Sequence, residues 1–226
     1  MPTAPDPSTP PAPRQARSRA TADRLLAATL ALMAESGLEG AVVPRIAERA
    51  GVSAANIYRR FADKDALVRA AILNGLRAGA AANEAGLEKA LVRATLAQSA
   101  QRLVALLLEQ YRRQPRLMRA LSRFIDDDGD EAFVSEARAL VGANAAHAAR
   151  ALLVHRDEIT HPDPARALGL AVLNAAAAIE AFALAPDATR WLPGRALTAA
   201  EMAREQAAAF VAYLQSPPAA AHGRRR

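Results

Sequence analysis

Two short apolar-striped segments meeting at Gly51-Val52-Ser53 constrain this chain more than any other feature of its sequence. Upstream, Pro44 opens a segment to residue 50 in which Ile46, Ala47 and Ala50 share one face. Proline suits a first helical position, because the amide proton it lacks has no partner there. Downstream, Ser53 is an N-cap candidate for a helix to about residue 61, with Ile57 and Phe61 on its inner side. Gly51 can take the left-handed conformation that ends one helix and turns the chain sharply into the next. Val52 can fill the angle between the two. Helices joined in this way cross steeply, so that the second can enter a DNA major groove while the first braces it on the backbone.

The flanking sequence extends the helical pattern. Ala22, Leu25, Leu26, Leu30 and Met33 recur at spacings of three and four and predict a helix over 19–36, stopped by Gly37. Asp63 caps a fourth helix with Leu67, Ala70, Ala71 and Ile72 or Leu73 inward. Five further helices are expected over 87–113, 116–125, 131–155, 163–185 and 198–215, which makes nine. The composition agrees. Apolar residues are 52% of the chain, much of that alanine and leucine, whereas aromatics are 4%. Alanine and leucine favour helices, and the β-branched and aromatic residues that favour strands are scarce. The expected fold is all-α, an N-terminal helix-turn-helix domain followed by a helical bundle. Its expected parts are a disordered proline-rich arm (1–17), the DNA-binding domain (18–77), a ligand-binding and dimerisation bundle (78–216) and a disordered basic tail (217–226).

Charge is unevenly distributed. Residues 1–75 carry ten Arg or Lys against seven Asp or Glu, residues 76–223 carry sixteen of each, and Arg224 to Arg226 supply the rest of the net +6. An excess at the N-terminal end fits a polyanionic partner there. On the outer face of the segment after Gly51 lie Ala54, Ala55, Asn56, Arg59 and Arg60. Small residues at 54 and 55 allow close approach to the groove floor. Asn56 can pair bidentately with adenine and Arg59 with guanine. Tyr58, Arg60 and Lys64 suit phosphates, which fix position without carrying sequence information. Ser53 presents the helix N-terminus, whose free amides and dipole favour phosphate.

Residues 19–73 resemble the N-terminal domain of the TetR family of bacterial repressors. The matching features are a first helix ending at Gly37, Ile-Ala-x-x-Ala-Gly-Val-Ser at 46–53, Ile57-Tyr58-x-x-Phe61, and Lys64-x-x-Leu67. The remainder of the chain is similar to that family only in architecture. The resemblance implies a homodimeric repressor that leaves a palindromic operator when a small molecule binds its C-terminal bundle. Where that family generally has a capping Thr or Ser and a long polar base-reading residue, this chain has Val42, Val43 and Pro44. The second helix is therefore expected to lean on Arg45 and Arg49. The resemblance also implies dimerisation through the last two long helices, here with Leu170, Leu173, Ala177, Phe182, Phe210 and Tyr213 along the seam. The same face would equally suit packing within one chain. Effector contacts are expected from Tyr111, Asn144, His147 and Asn174, with Phe124 and Phe133 as walls, a lining suited to a mostly apolar molecule with one or two polar atoms.

Other readings stand beside these. Phe61 reads as core, Tyr58 as DNA contact or core, and Arg59 as base reader or solvated surface. Arg14, Arg17 and Arg19 can belong to a minor-groove arm or to plain disorder. The run 126–131, Asp-Asp-Asp-Gly-Asp-Glu, lacks the alternating ligands of a calcium loop and suits a helix start. His147 and His155, eight apart, are poorly spaced for a shared ion and read as pocket wall or satisfied side chains. No metal, cofactor, nucleophile–base–orienter set or phosphate loop is expected, so an enzyme is not. With no cysteine the chain suits a reducing cytoplasm. The most apolar stretch, 167–179, reads as too short and too alanine-rich to span a bilayer. A DNA-binding protein without a trigger and a pure interaction module remain as rivals.

Overall fold

The computed structural model describes residues 13–91, 94–185, 189 and 192–216. Among these the regular structure is entirely helical, in nine α-helices and one 3-10 segment. The chain divides into two compact units, Met1–Gly75 and Leu76–Arg226. The expected arm up to residue 12 and the expected tail from 217 lie outside the described residues. Residues 13–17, expected to belong to the arm, are already helical.

In the first unit, α1 (Pro13–Gly40) buries Leu25, Ala28, Thr29, Leu32 and Met33, one face at helical spacing. Leu26, Leu30 and Ala22, expected inside, are only half-buried, so the buried stripe is rotated slightly from the sequence reading. Thr29 tolerates complete burial because its hydroxyl donates to the Leu25 carbonyl oxygen at 2.9 Å. Gly37 has φ +74 and ψ −173, a combination open essentially to glycine alone, and there the helix breaks as expected. Next, α2 (Val43–Ala50) contributes Val43, Ile46, Ala47 and Ala50 to the core. The short α3 (Ala54–Tyr58) contributes Ile57, and α4 (Lys64–Leu91) contributes Leu67, Val68, Ala71 and Ile72. Asp63 caps α4, its Oδ1 accepting from the Ala66 amide at 2.7 Å.

The expected helix over 87–113 is corrected in one respect. Helix α4 passes through Gly79 and Gly86 and ends at Leu91, and a separate α5 (Leu96–Arg113) begins five residues later. Thr95 and Gln98 form a reciprocal capping box there, a Thr-x-x-Gln signature that defines the true start. Gly79 and Gly86 weaken α4 by roughly 1 kcal/mol each relative to alanine without ending it. There follow α6 (Pro115–Asp127), α7 (Glu131–Ala151), a 3-10 segment (Leu152–Glu158), α8 (Pro164–Leu184) and α9 (Ala199–Gln215). The seventh helix thus tightens into 3-10 geometry at 152 instead of continuing to 155.

The second unit's core joins α5 (Leu96, Ala100, Leu103, Val104, Leu108), α8 (Ala167, Leu168, Ala171, Val172, Ala175, Ile179) and α9 (Ala207, Phe210, Leu214). The alternation of alanine with leucine allows the three axes to approach closely while filling space. Helix α8 also corrects the bilayer reading: its 21 residues are long and apolar enough to cross a membrane by length and composition, yet only 33% of the window is buried within the chain. One face packs on the core, and the other leaves Leu170 and Leu173 42% and 59% exposed.

Candidate nucleic-acid interface

The turn between α2 and α3 is built by Gly51, at φ +66, whose amide donates to the carbonyl oxygens of Ala47 and Glu48. Nothing lies within 4 Å of where a Cβ would stand, so glycine is needed here for its backbone conformation and not for space. Ser53 holds the extended N-cap conformation, but its side chain makes no cap bond. The turn is closed by backbone instead, the Asn56 amide donating to the Ser53 carbonyl oxygen at 2.9 Å. Helix α3 ends at Tyr58, short of the expected Phe61, which is half-buried.

The register of α3 decides what it presents. Ile57 is fully buried, and its neighbour Tyr58 is 56% exposed. Ser53, Ala54, Ala55 and Arg59 are exposed with Tyr58, while Asn56, Arg60 and Lys64 are half-buried. The exposed edge thus carries small side chains at its N-terminal end and Tyr58 and Arg59 at the other.

The arginines of α2 are already engaged. Arg49 grips Glu35 of α1 through two parallel bonds, Nη1 to Oε1 at 2.6 Å and Nη2 to Oε2 at 2.9 Å. The bond from Arg49 holds the Glu35 carboxyl below its usual range, and Glu35 in turn raises the Arg49 guanidinium. Arg45 donates from Nη1 to the Gly40 carbonyl oxygen at 3.2 Å. Both therefore brace α2 against α1, which revises the expectation that they make up for the apolar start of α2. Val42 at the N-cap of α2 is 38% exposed and caps nothing.

A second chain of bonds backs α3. Asn56 Oδ1 accepts from Arg59 Nη2 at 3.1 Å and from Arg60 Nε at 3.3 Å. Arg60 also donates from Nη1 to Ser18 Oγ on α1 at 2.9 Å. Only the amide oxygen can accept from two guanidinium groups, so the orientation of the Asn56 amide is fixed by its partners. Arg60, expected on a phosphate, serves as a strut from α1 to α3.

In the second unit the expected effector residues separate. Tyr111 is half-buried; burial, followed by the charge of Glu180 and a hydrogen bond to it, pushes its hydroxyl pKa well up. Ser122 donates to Glu180 Oε1 at 3.1 Å, and this Tyr111–Glu180–Ser122 group, drawn from α5, α8 and α6, had only Tyr111 as a sequence signal. Phe124 and Phe133 are buried and meet edge to face, centroids 5.7 Å apart at 76°. Asn144 is half-buried. His147 Nδ1 lies 3.7 Å from Glu84 Oε1, and its Nε2 is buried with no hydrogen-bond partner among the described residues. Asn174 is exposed, on the outer face with Leu170, Leu173 and Ala177, so it does not lean into the bundle. Among the expected seam residues, Phe210 is 3% exposed and belongs to the chain's own core, and Phe182 and Tyr213 pack partly against that core. The acidic run serves as helix caps: Asp130 Oδ1 accepts from the Phe133 amide at 3.0 Å, and Asp128 Oδ1 from the Asp130 amide at 2.8 Å.

One arrangement escaped the sequence reading. Ser99 Oγ lies 2.8 Å from His155 Nε2, and His155 Nδ1 lies 3.1 Å from Glu158 Oε1. These are the distances of a nucleophile–base–orienter set, contrary to the expectation that none exists. Ser99 has no exposed surface and His155 has 7%, with Leu96, Ala100 and Leu103 in the same core. No substrate can reach the hydroxyl. Glu158 also accepts the Leu96 amide at 3.0 and 3.2 Å, so the group ties the start of α5 to the 3-10 segment and satisfies every buried polar atom in it.

Residues 25–71 match the family model of bacterial regulatory proteins of the tetR family. No curated protein matches the sequence significantly. Among solved structures, the chain is similar to a transcriptional regulator from Rhodococcus sp. Rha1, with 23% identity, 85% of this chain and 95% of that one covered, and a TM-score of 0.60. A tetR-family transcriptional regulator from Streptomyces coelicolor has 23% identity, coverages of 86% and 80% and a TM-score of 0.60. The transcriptional regulator FadR from Bacillus subtilis, solved in complex with stearoyl-CoA, has 13% identity, coverages of 85% and 97% and a TM-score of 0.59. At these identities the structural likeness is one of fold.

Proposed function

We propose that this chain is a DNA-binding transcriptional regulator of the TetR type rather than an enzyme, and that it acts as a homodimeric repressor released from its operator by a small molecule. The observation that carries the reading is the register of α3, with Ile57 sealed in the core and Tyr58 and Arg59 turned out beside it. Ser53, Ala54, Ala55, Asn56, Tyr58, Arg59 and Lys64 form the DNA-contacting set; Arg45, Arg49 and Arg60 support it from behind. One short helix offers few base contacts, so two copies related by a two-fold axis read a palindrome, with half-sites centred roughly 34–36 Å apart.

The exposed face of α8 supports the dimer. Leu170, Leu173 and Ala177 lie exposed on one side of an apolar helix whose opposite side packs on the chain's own core. A second copy of the same face would cover it, with the small residues allowing close approach. For the effector, Tyr111, Ser122 and Glu180 supply polar atoms, and Phe124 and Phe133 supply apolar walls. Such a lining suits a mostly apolar molecule with one or two polar groups. Its binding releases DNA by favouring a dimer whose heads are spaced wrongly for the operator. The working compartment is the bacterial cytoplasm.

Selection of bound DNA from a random pool tests the reading, followed by titration of the enriched duplex with candidate effectors. The expected result is a palindromic consensus bound with steep salt dependence and released by an effector that also raises the melting temperature. An asymmetric consensus, or a monomer by light scattering at micromolar concentration, overturns the dimer. Tight binding that no effector relieves turns the protein into a constitutive repressor.

A further inference from the structure

We propose that Asn56 does not read a base with its amide oxygen but positions Arg59, giving α3 a donor-only edge that selects guanine in each half-site. The inference rests on the reading that α3 enters the major groove. It goes further by naming the base and the residue that sets it.

The bonds around Asn56 determine the polarity of this edge. Asn56 Oδ1 is occupied by Arg59 Nη2 and Arg60 Nε, and Arg60 is held from behind by Ser18. Bidentate recognition of adenine needs the asparagine oxygen to accept from the base N6 amino group while the nitrogen donates to N7. Releasing that oxygen would break two bonds from charged donors and detach the strut to α1. With the oxygen left in place, Asn56 offers the groove only its amide hydrogens. Arg59 spends one Nη2 hydrogen on Asn56 and keeps the remaining guanidinium hydrogens, enough for a two-pronged contact. Guanine is the one base whose major-groove edge carries two adjacent acceptors, N7 and O6, and adenine would set its N6 hydrogens against these donors. The preceding Ala54 and Ala55 are exposed and small, so they neither compete for the edge nor hold the helix away.

Substitution at position 56 can separate the oxygen from the nitrogen. Asn56→Asp keeps an acceptor for both arginines and loses the donors, whereas Asn56→Ala loses both. Full-length wild type and each variant are put through random-pool selection at one fixed salt concentration, with thermal melting as the check that each is folded. The wild type is expected to enrich guanine at one position of each half-site. Asn56→Ala is expected to cut that preference about tenfold, the scale of one bidentate base contact. Asn56→Asp is expected to retain it within about threefold, although its added negative charge weakens binding to all sequences alike. Arg59→Lys, which leaves position 56 alone and keeps the charge but not the fork, is expected to lose the preference as Asn56→Ala does. An adenine-centred half-site abolished equally by Asn56→Asp and Asn56→Ala overturns the proposal, because asparagine would then be reading the base itself. A guanine preference unchanged in Asn56→Ala overturns it as well, since Arg59 would need no positioning. A wild-type protein that enriches no sequence fails the groove reading first and this inference with it.

Discussion

Adjacent substitutions on α3 should have opposite consequences, and the contrast tests the register on which the interface depends. Ile57 has no exposed surface, and Tyr58 is 56% exposed. Truncating a buried isoleucine to alanine removes its transfer free energy and leaves a cavity, a loss of about 2–5 kcal/mol. Ile57→Ala therefore consumes much of the stability expected for a small domain, and its melting transition should fall by roughly 10 °C or more, at about 4–8 °C per kcal/mol. Tyr58→Ala removes mainly solvated surface, and its melting temperature should stay within about 2–3 °C of wild type, in keeping with the ±0.5 kcal/mol typical of surface changes. On DNA the order reverses. If each Tyr58 hydroxyl makes one phosphate contact, its loss costs about 0.5–1.5 kcal/mol, and two heads per dimer turn that into roughly five- to a hundredfold weaker binding. Fluorescence anisotropy on the selected operator, at a temperature where both variants are folded, reads the affinity; calorimetry reads the stability. Rotating the helix by one residue would exchange the roles. A Tyr58→Ala variant that melts as low as Ile57→Ala, or that binds operator as wild type does, would refute the outward placement of this face.

Ser99→Ala strips His155 Nε2 of its partner in a site with almost no solvent, at a cost of about 1–3 kcal/mol; calorimetry of the full chain should register a fall of several degrees, and no change would mean that the Ser99–His155–Glu158 chain does not form in solution. Leu173→Glu places charge on the exposed apolar face of α8 and should shift the mass seen by light scattering from dimer to monomer without lowering helical content; an unchanged dimer mass would place the seam elsewhere. Glu201 is held down to a pKa of about 2, first by the hydrogen bond from Arg195 and then by bonds from Thr198. A carboxyl depressed in the folded state contributes stability above its ordinary range near 4.5 and loses it as pH falls toward 2. Carboxyl titration by NMR should accordingly find Glu201 ionised at pH 3.5, and Arg195→Ala should raise its midpoint toward 4.5; a wild-type midpoint near 4 would contradict the capping geometry.

Much of the fold was legible because helix boundaries have local chemical causes. Gly37 and Gly51 both take positive φ, and Asp63, Asp130, Asp163 and Thr198 each accept a backbone amide as N-caps do. Where expectation and structure differ, two local signals compete. The expected start at 87 follows Gly86, but a glycine within a helix costs only about 1 kcal/mol against alanine, and the Thr95–Gln98 box four residues past Leu91 sets the real start. The buried stripe of α1 lies part of a turn from the expected one because Leu26 and Leu30 are as apolar as Leu25 and Leu32. Hydrophobicity alone cannot rank positions flanking the centre of a buried face. Phe210 fails as a seam residue for a related reason, since an apolar side chain facing its own core and one facing a second copy look alike in sequence.

The interface was legible in its backbone and much less so in its charges. That Ile57 faces in follows from helical spacing, and the structure decides that Tyr58 faces out. The partner of an arginine does not, because the same side chain can meet a phosphate, a base or a carboxylate far off in sequence. Glu35, fourteen residues before Arg49, lies on a different helix, and nothing near position 49 announces it. The same holds for Ser18 and Arg60, forty-two residues apart. The partitioning follows a physical logic all the same. Arg45, Arg49 and Arg60 sit where carboxylate, carbonyl or hydroxyl oxygens of α1 come within reach, and each is recruited to fix α2 or α3 against it. Among the described residues Arg59 bonds Asn56 in the adjoining α3 and keeps most of its donors. A reading head needs both kinds. Arginines spent on bracing hold α3 still, which would lower the entropy lost on docking, and on the proposed reading Arg59, with open donors, is the residue left to discriminate between bases. Counting positive charges near a helix-turn-helix therefore overstates its DNA contacts, and the residues to test first are those whose intramolecular partners leave a hydrogen-bond donor unspent.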